Sequence, residues 1–245
     1  NDDGSSEILS LDLDSMEYRK SKKASFGTLE KTKSVDKVTD RFPILIKGED
    51  KAGEFYRKNF GAMFAYVSKR IPEITDELYK IDDAMKAGFG WENGPFEIWD
   101  AIGVKKGIEL IKDLGKEPAS WVNKMLESGV DSFYEVREGN TYYYSIPDKI
   151  HKKIPGQDAF IILDNIRKSK EVWSNKGIVV EDLGDGILNV EFRSKMNSIG
   201  GDVLAGVNKA IDLAEASFDG LVIANQGKNF SVGANIGMIF MMAVE

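Results

Sequence analysis

The sequence predicts an α+β chain with two unlike halves: an all-α helical half closed by a hairpin, then a partial α/β unit of ββαβ order. Three observations predict it. Apolar residues recur at helical spacing from Ala52 to Leu126. Two β-rich pairs of runs flank the turn tripeptides Glu138-Gly139-Asn140 and Gly184-Asp185-Gly186. Finally, the apolar run Leu221-Val222-Ile223-Ala224 leads into Asn229-Phe230-Ser231-Val232-Gly233-Ala234-Asn235-Ile236, which reads as a strand, a glycine-bearing turn and a helix start.

Residues 1–47 are rich in Ser, Lys, Asp and Glu and read as a polar linker or arm, with one brief alternation at Ile8-Leu9-Ser10-Leu11-Asp12-Leu13. Residues 48–146 read as a helical domain. Ala52, Phe55, Phe60, Met63, Phe64 and Val67 share one face of a first helix, and Ile74, Leu78, Ile81 and Met85 share one face of a second, which should pack antiparallel to the first. Pro95 suits the first turn of a third helix through Phe96, Ile98, Trp99 and Ile102. A fourth carries Val104, Ile108, Ile111 and Leu114, and a fifth, from Pro118, carries Trp121, Val122, Met125 and Leu126 and ends near Gly129. Phe133–Val136 and Thr141–Tyr144 form the first hairpin, and residues 147–158 read as an interdomain linker. In residues 159–245, Ile178-Val179-Val180 and Ile187–Phe192 form a second hairpin. Asn197 and Ser198 are placed to cap a helix with Ile199, Val203, Val207 and Ile211 on its core face, and Met238–Val244 is apolar nearly all round, a helix that calls for a partner.

Composition narrows the function. The chain has 245 residues, 42% hydrophobic, with a formal net charge of -7, which argues against a general nucleic-acid surface. The cluster Arg19-Lys20-Ser21-Lys22-Lys23 sits among acids and reads as a solvated tail. With no cysteine and one histidine, neither a disulfide framework nor a structural zinc site is expected, and no carboxylate loop has calcium or magnesium spacing. No apolar run is long enough to span a bilayer and no signal peptide is visible, so a cytoplasmic location is expected. The first residue is Asn, so the natural start is expected to lie outside this chain. His151 lies in the polar linker without a nucleophile context and reads as a surface residue, and Gly184-Asp185-Gly186 precedes a strand and not a helix, so it is no dinucleotide loop.

The turn at 229–236 has chemistry of its own. A glycine turn between strand and helix leaves backbone N–H groups outside the ladder, and the helix start adds partial positive charge, a setting suited to a developing oxyanion.

Two segments resemble known families. Gly88-Phe89-Gly90-Trp91-Glu92-Asn93-Gly94-Pro95-Phe96-Glu97-Ile98-Trp99-Asp100-Ala101-Ile102-Gly103 resembles the motif of the helical C-terminal domain of 3-hydroxyacyl-CoA dehydrogenases, a likeness covering about residues 45–128. Its aromatics Phe89, Trp91, Phe96 and Trp99 read as packing or interface groups, and Glu97 and Asp100 as surface or capping acids. From Gly177 onward, Leu188-Asn189-Val190, Met196-Asn197-Ser198 and Gly227-Lys228-Asn229-Phe230-Ser231-Val232-Gly233-Ala234-Asn235 resemble the opening of the enoyl-CoA hydratase/isomerase (crotonase) fold. That resemblance implies that the Ala234 N–H is one of two backbone donors to a thioester oxygen. It further implies that Gly233 permits the turn, that Phe230 anchors it to the core, and that Met196, Asn197, Gly233, Asn235 and Ile236 border the coenzyme A thioester. Two departures stand out: Val190-Glu191 replaces a usual Pro, and Asn235 replaces the commoner Asp, which weakens a side-chain role there.

Together the two likenesses imply an internal piece of a bifunctional fatty-acid β-oxidation enzyme, a dehydrogenase fused ahead of a hydratase. The parent would use NAD at a site absent from this chain, and acyl-CoA thioester as substrate. The second oxyanion donor and both catalytic glutamates would follow residue 245, so the chain alone is expected to be inactive. A homo-oligomer through either domain stays open, as do two rival readings: a non-catalytic helical interaction module with an acyl-CoA-binding remnant, and a stand-alone thioester binder.

Overall fold

The computed structural model describes residues 7–21, 24–227 and 229–244. Helices and strands are both plentiful, so the chain is α+β as its sequence predicts, and it divides into two compact units, Asn1–Phe133 and Tyr134–Glu245. Of the residues singled out above, Lys22, Lys23 and Lys228 lie outside the described residues, as do the side chains of Met242, Ala243 and Val244.

In the first unit a small hairpin, β1 (Leu9–Leu11) with β2 (Tyr18–Lys20), precedes seven helices. These are α1 (Gly27–Thr32), α2 (Val38–Ile46), α3 (Lys51–Lys69), α4 (Leu78–Phe89), α5 (Pro95–Ile102), α6 (Val104–Lys112) and α7 (Ser120–Glu127). Two helices, 27–32 and 38–46, therefore stand where composition suggested a linker. Their apolar faces are short, but Phe42, Leu45 and Ile46 are buried. Asp50 ties this segment to α3. One carboxylate oxygen accepts the Gly53 N–H at 3.0 Å, capping α3, and the other accepts the Thr28 N–H at 2.9 Å at the start of α1. Those bonds, Thr28 first, hold the Asp50 carboxyl at about 2.

The expected antiparallel pairing of the first two predicted helices does not occur. The long helix α3 packs on α6, where a Cβ at Gly61 would sit 2.5 Å from the Leu110 carbonyl oxygen, and α4 packs on α5. Helical spacing shows which face is buried, not which neighbour buries it. Asp82 of α4 explains the pairing found: its two oxygens accept the Phe96 and Glu97 N–H groups at 2.9 and 3.0 Å, capping α5 from outside. Glu97 acts as a capping acid as well, accepting the Gly94 N–H at 2.8 Å, and Asp100 accepts the Phe133 N–H at 2.8 Å. The core is aromatic. Trp99 stacks on Phe64 with centroids 4.7 Å apart and meets Phe133 edge-on at 5.0 Å, and its indole N–H donates to the Val104 carbonyl at 3.0 Å. Phe96 and Trp99 are fully buried, whereas Phe89 of the same motif is 74% exposed.

The second unit holds two sheets. β3 (Tyr134–Arg137), β4 (Asn140–Ser145) and β5 (Ile150–Lys153) form an antiparallel sheet. Thus the first hairpin groups with the second unit and not with the helices, and the expected linker at 147–158 contains a strand. Lysines at 152 and 153 gave β5 the look of a linker. His151 is correspondingly no surface residue: its side chain is 7% exposed, 3.3 Å from Glu135 and edge-on to Tyr144.

The other sheet has the order β6 (Glu171–Ser174), β7 (Ile178–Gly184), β8 (Ile187–Phe192) and β9 (Gly220–Ile223), following α8 (Leu163–Lys170). Antiparallel pairs join β6 to β7 and β7 to β8, while β8 and β9 are parallel and joined through α9 (Gly201–Ser217). This is the predicted ββαβ order with an extra strand and helix in front. Ile178, Val180, Leu188, Val190 and Phe192 line one face and pack on Val203 and Ala210 of α9.

Candidate functional site

The site is built at the end of β9, where the chain leaves the sheet for α10 (Ile236–Val244). Asn225 fixes the exit. Its side-chain oxygen accepts the Phe192 N–H at 2.6 Å, and its amide donates to the Phe230 carbonyl at 2.8 Å. Asn189 of β8 adds a second clamp by accepting the Ala224 N–H at 3.1 Å. The turn itself is closed by the Ser231 hydroxyl, which accepts the Gly233 N–H at 3.0 Å and donates to the Asn197 carbonyl at 2.6 Å. Gly233 has φ of +89°, a conformation an L side chain resists, so glycine is required there.

Ala234 then forms an isolated parallel bridge with Ile199. The bonds of that bridge are donated by Ile199 to the Gly233 carbonyl and by Asn235 to the Ile199 carbonyl, both at 2.9 Å. The Ala234 N–H lies between them and takes no part. Ala234 is exposed, and Asn235 caps α10 immediately after it, its side-chain oxygen accepting the Met238 N–H at 3.2 Å. The result is an exposed backbone position beside a helix N-terminus, an electrostatic setting that suits an anionic oxygen.

The structure brings the other predicted site residues to this turn. Asn197 donates its amide to the Asn229 carbonyl at 3.0 Å, and Met196 and Asn197 both adopt left-handed backbone, with φ of 56° and 54°. Neither Asn197 nor Ser198 caps α9, whose N-cap is Gly200; the Ser194 and Asn197 neighbourhood is instead a short 3-10 turn. Met196 and Ile236 are 60% and 80% exposed. Phe230 does not anchor the turn as expected: it is 59% exposed, and its ring meets Phe192 in a tilted contact at 6.0 Å between centroids. A cavity of about 230 Å³ adjoins the turn, with Asn235, Met238, Ser198, Gly200 and Gly201 in its walls and Asp202 as its carboxylate.

A polar cluster behind the site gave no sequence signal as such. On the sheet face away from α9, Arg167 of α8 makes a bidentate pair with Glu191 at 2.8 Å, and Asn189 donates to Glu181 at 2.8 Å. Glu181 is fully buried, and burial pushes its carboxyl up. Its remaining oxygen has no hydrogen-bond partner and lies 4.0 Å from Arg167 Nε. Among the described residues no group of His, Asp or Glu is placed to hold a metal ion, and no helix is long and apolar enough to cross a membrane.

No protein-family model and no solved structure matches the chain. Three curated proteins do. A protein of Bacillus subtilis (strain 168) named "Probable 3-hydroxyacyl-CoA dehydrogenase" is 37% identical over 235 residues, which is 96% of this chain and 30% of that protein. The likeness runs through both units. A Rickettsia prowazekii protein whose name assigns it provisionally to the fatty acid oxidation complex trifunctional enzymes is 29% identical over 187 residues, 76% of this chain and 23% of its own length. A Rickettsia felis protein with the same kind of name is 23% identical over 219 residues. The chain thus spans less than a third of the length of the relatives it matches. Their names speak of dehydrogenation and fatty acid oxidation and of no hydratase, so a hydratase-type reading of the second unit rests on the turn.

Proposed function

We propose that this chain is the part of a fatty-acid β-oxidation enzyme that joins a dehydrogenase-type helical module to the opening of a crotonase-type thioester site. The parent enzyme would hydrate 2-enoyl-CoA and oxidise 3-hydroxyacyl-CoA with NAD, whose binding module is not among these residues. The observation that carries the second half is Ala234, exposed just ahead of α10 with its N–H outside the bonds of the Ile199 bridge. A thioester oxygen accepting from it would gain negative charge as the enolate forms, and the N–H bond would strengthen in step. The exposed side chains of Met196 and Ile236 would border the acyl thioester. Support for the first half comes from the dehydrogenase-named relative matched over 96% of the chain and from the aromatic core built on the Gly94–Trp99 motif.

Hydration needs a second donor and acid-base carboxylates for water and the α-carbon proton. The cavity beside the turn holds one carboxylate, Asp202, and no glutamate. The chain is therefore proposed to bind acyl-CoA without turning it over. Removing one oxyanion donor costs about 3 kcal/mol in enzymes that use a pair, so half a pair cannot sustain the rate. Calorimetric titration with crotonyl-CoA, coupled to an absorbance assay for hydration, tests this directly. Binding that weakens at least tenfold when the acyl group is replaced by hydrogen supports the reading; turnover by the purified chain, or equal affinity for coenzyme A itself, contradicts it.

A further inference from the structure

Ala224, the residue at which the chain leaves β9, is held by a side chain of the neighbouring strand. The ladder between β8 and β9 ends at the pair Val190 and Ile223. One residue further, the Ala224 N–H is shared between the Val190 carbonyl at 3.2 Å and the Asn189 side-chain oxygen at 3.1 Å, and the Asn189 amide nitrogen reaches the Ala224 carbonyl at 3.4 Å. The next two residues are pinned as well, Asn225 to Phe192 and Phe230, and Gln226 by accepting the Leu163 N–H at 2.8 Å. The course of the chain towards Gly233 is therefore set over three residues, and Asn189 sets the first.

Asn189 has no solvent exposure, so its protein neighbours decide which way its amide faces. The Ala224 N–H can only donate. On the other side, 2.8 Å from the amide nitrogen, stands Oε2 of Glu181, the cross-strand neighbour of Asn189 in the β7–β8 register. Ionised, or protonated on its other oxygen, that carboxyl accepts at Oε2, so the two demands agree; a turned amide would set donor against donor and acceptor against acceptor. Arg167 is engaged elsewhere, with Glu191 and Asp164, and keeps its Nε 4.0 Å from Glu181. A buried carboxyl with no close ion pair lowers stability; what it adds is a fixed hydrogen-bond direction.

We propose that Glu181 is a positioning residue: by accepting from Asn189 it fixes the direction of that amide, and through it the point at which β9 releases the chain into the turn at 229–236. The consequence for a bound thioester rests on the function proposed above; the relay itself does not.

Amide exchange followed by NMR at Ala224, whose N–H ends on Asn189, tests the relay. Glu181→Gln keeps the acceptor and should leave Ala224 protection unchanged. Glu181→Leu should lower it about tenfold, the scale of one lost hydrogen bond, without lowering the urea midpoint of the sheet unit, because an apolar side chain replaces a buried carboxyl. Asn189→Asp sets two carboxyls against each other and should lower Ala224 protection about tenfold at neutral pH, with recovery as acid places a proton between them. Adding Glu181→Gln to Asn189→Asp reverses donor and acceptor and should restore protection to within about threefold of wild type. Unchanged protection in Glu181→Leu, or a double variant no better than Asn189→Asp alone, would overturn the proposal; should Asn189→Asp not fold, the contrast between Glu181→Gln and Glu181→Leu decides. Titration with crotonyl-CoA separates this from the thioester reading. A wild-type chain that does not bind it removes that reading while the exchange pattern still decides the relay, and equal binding by every variant with no change at Ala224 removes the relay alone.

Discussion

Asp82 in the helical unit and Glu181 in the sheet unit are both carboxylates without solvent exposure, and the two units treat them in opposite ways. Asp82 accepts two backbone N–H groups at the start of α5, so its charge is matched by the helix dipole and by full hydrogen bonds. Glu181 accepts from Asn189 and keeps one oxygen without a hydrogen bond, next to a second buried carboxylate, Glu191. In the first unit a buried charge fastens one helix to another. In the second it sits in a crowded polar layer one strand away from the proposed thioester turn, where Asn189 links it to the exit of β9. On the proposed function, the first unit is scaffold, and the second carries the crowded polar layer beside the proposed site.

The comparison breaks most visibly at Trp99. Trp99→Ala removes the centre of the aromatic stack and is expected to cost about 3–5 kcal/mol, read as a loss of amide protection across α3, α5 and α6. A cost near 1 kcal/mol would show that the core is looser than its ring contacts indicate. Asp82→Ala comes next, at about 2–3 kcal/mol, because it orphans two N–H groups at the start of α5; urea unfolding followed by circular dichroism measures it.

Glu181 is the reverse case. Its folded carboxyl is raised above the ordinary 4.5, so its contribution to stability is fully present below that value and is lost as pH rises through the folded pKa. Glu181→Gln should flatten this part of the stability-pH profile of the sheet unit and leave it no less stable at neutral pH. A steeper decline in the variant would contradict the assignment. The smallest effect belongs to Ile236, 80% exposed, where Ile236→Ser should change stability by no more than about 0.5 kcal/mol in the same urea experiment.

What the sequence made legible follows the range of the interactions. α3 is visible because its apolar spacing is local, and the turn at 229–236 is visible because Ser231 and Gly233 close it within three residues. Helices α1 and α2 were hidden, since three buried side chains in a polar segment give too short a pattern. The role of Asp82 was hidden for another reason: it stands beside Asp83 on an amphipathic helix, and its partners lie fourteen and fifteen residues on. The alternation of Asn189 and Glu191 with Leu188, Val190 and Phe192 looks like a strand with one solvated face. Instead α8, a short helix of polar composition, covers that face and brings Arg167 to Glu191. The Ile199–Ala234 bridge joins residues too far apart for any local signal, and its bonds leave the Ala234 N–H out.

That donor is the centre of the account, and its effect on a bound carbonyl can be seen without turnover. Isotope-edited infrared spectra of crotonyl-CoA labelled at the thioester carbonyl should show the stretch shifted to lower frequency on binding to this chain, with the shift abolished in Ala234→Pro and retained in Ala234→Gly. A carbonyl frequency in the wild-type complex equal to that of the free thioester, or a shift that survives Ala234→Pro, would show that the turn at 229–236 is not an oxyanion site.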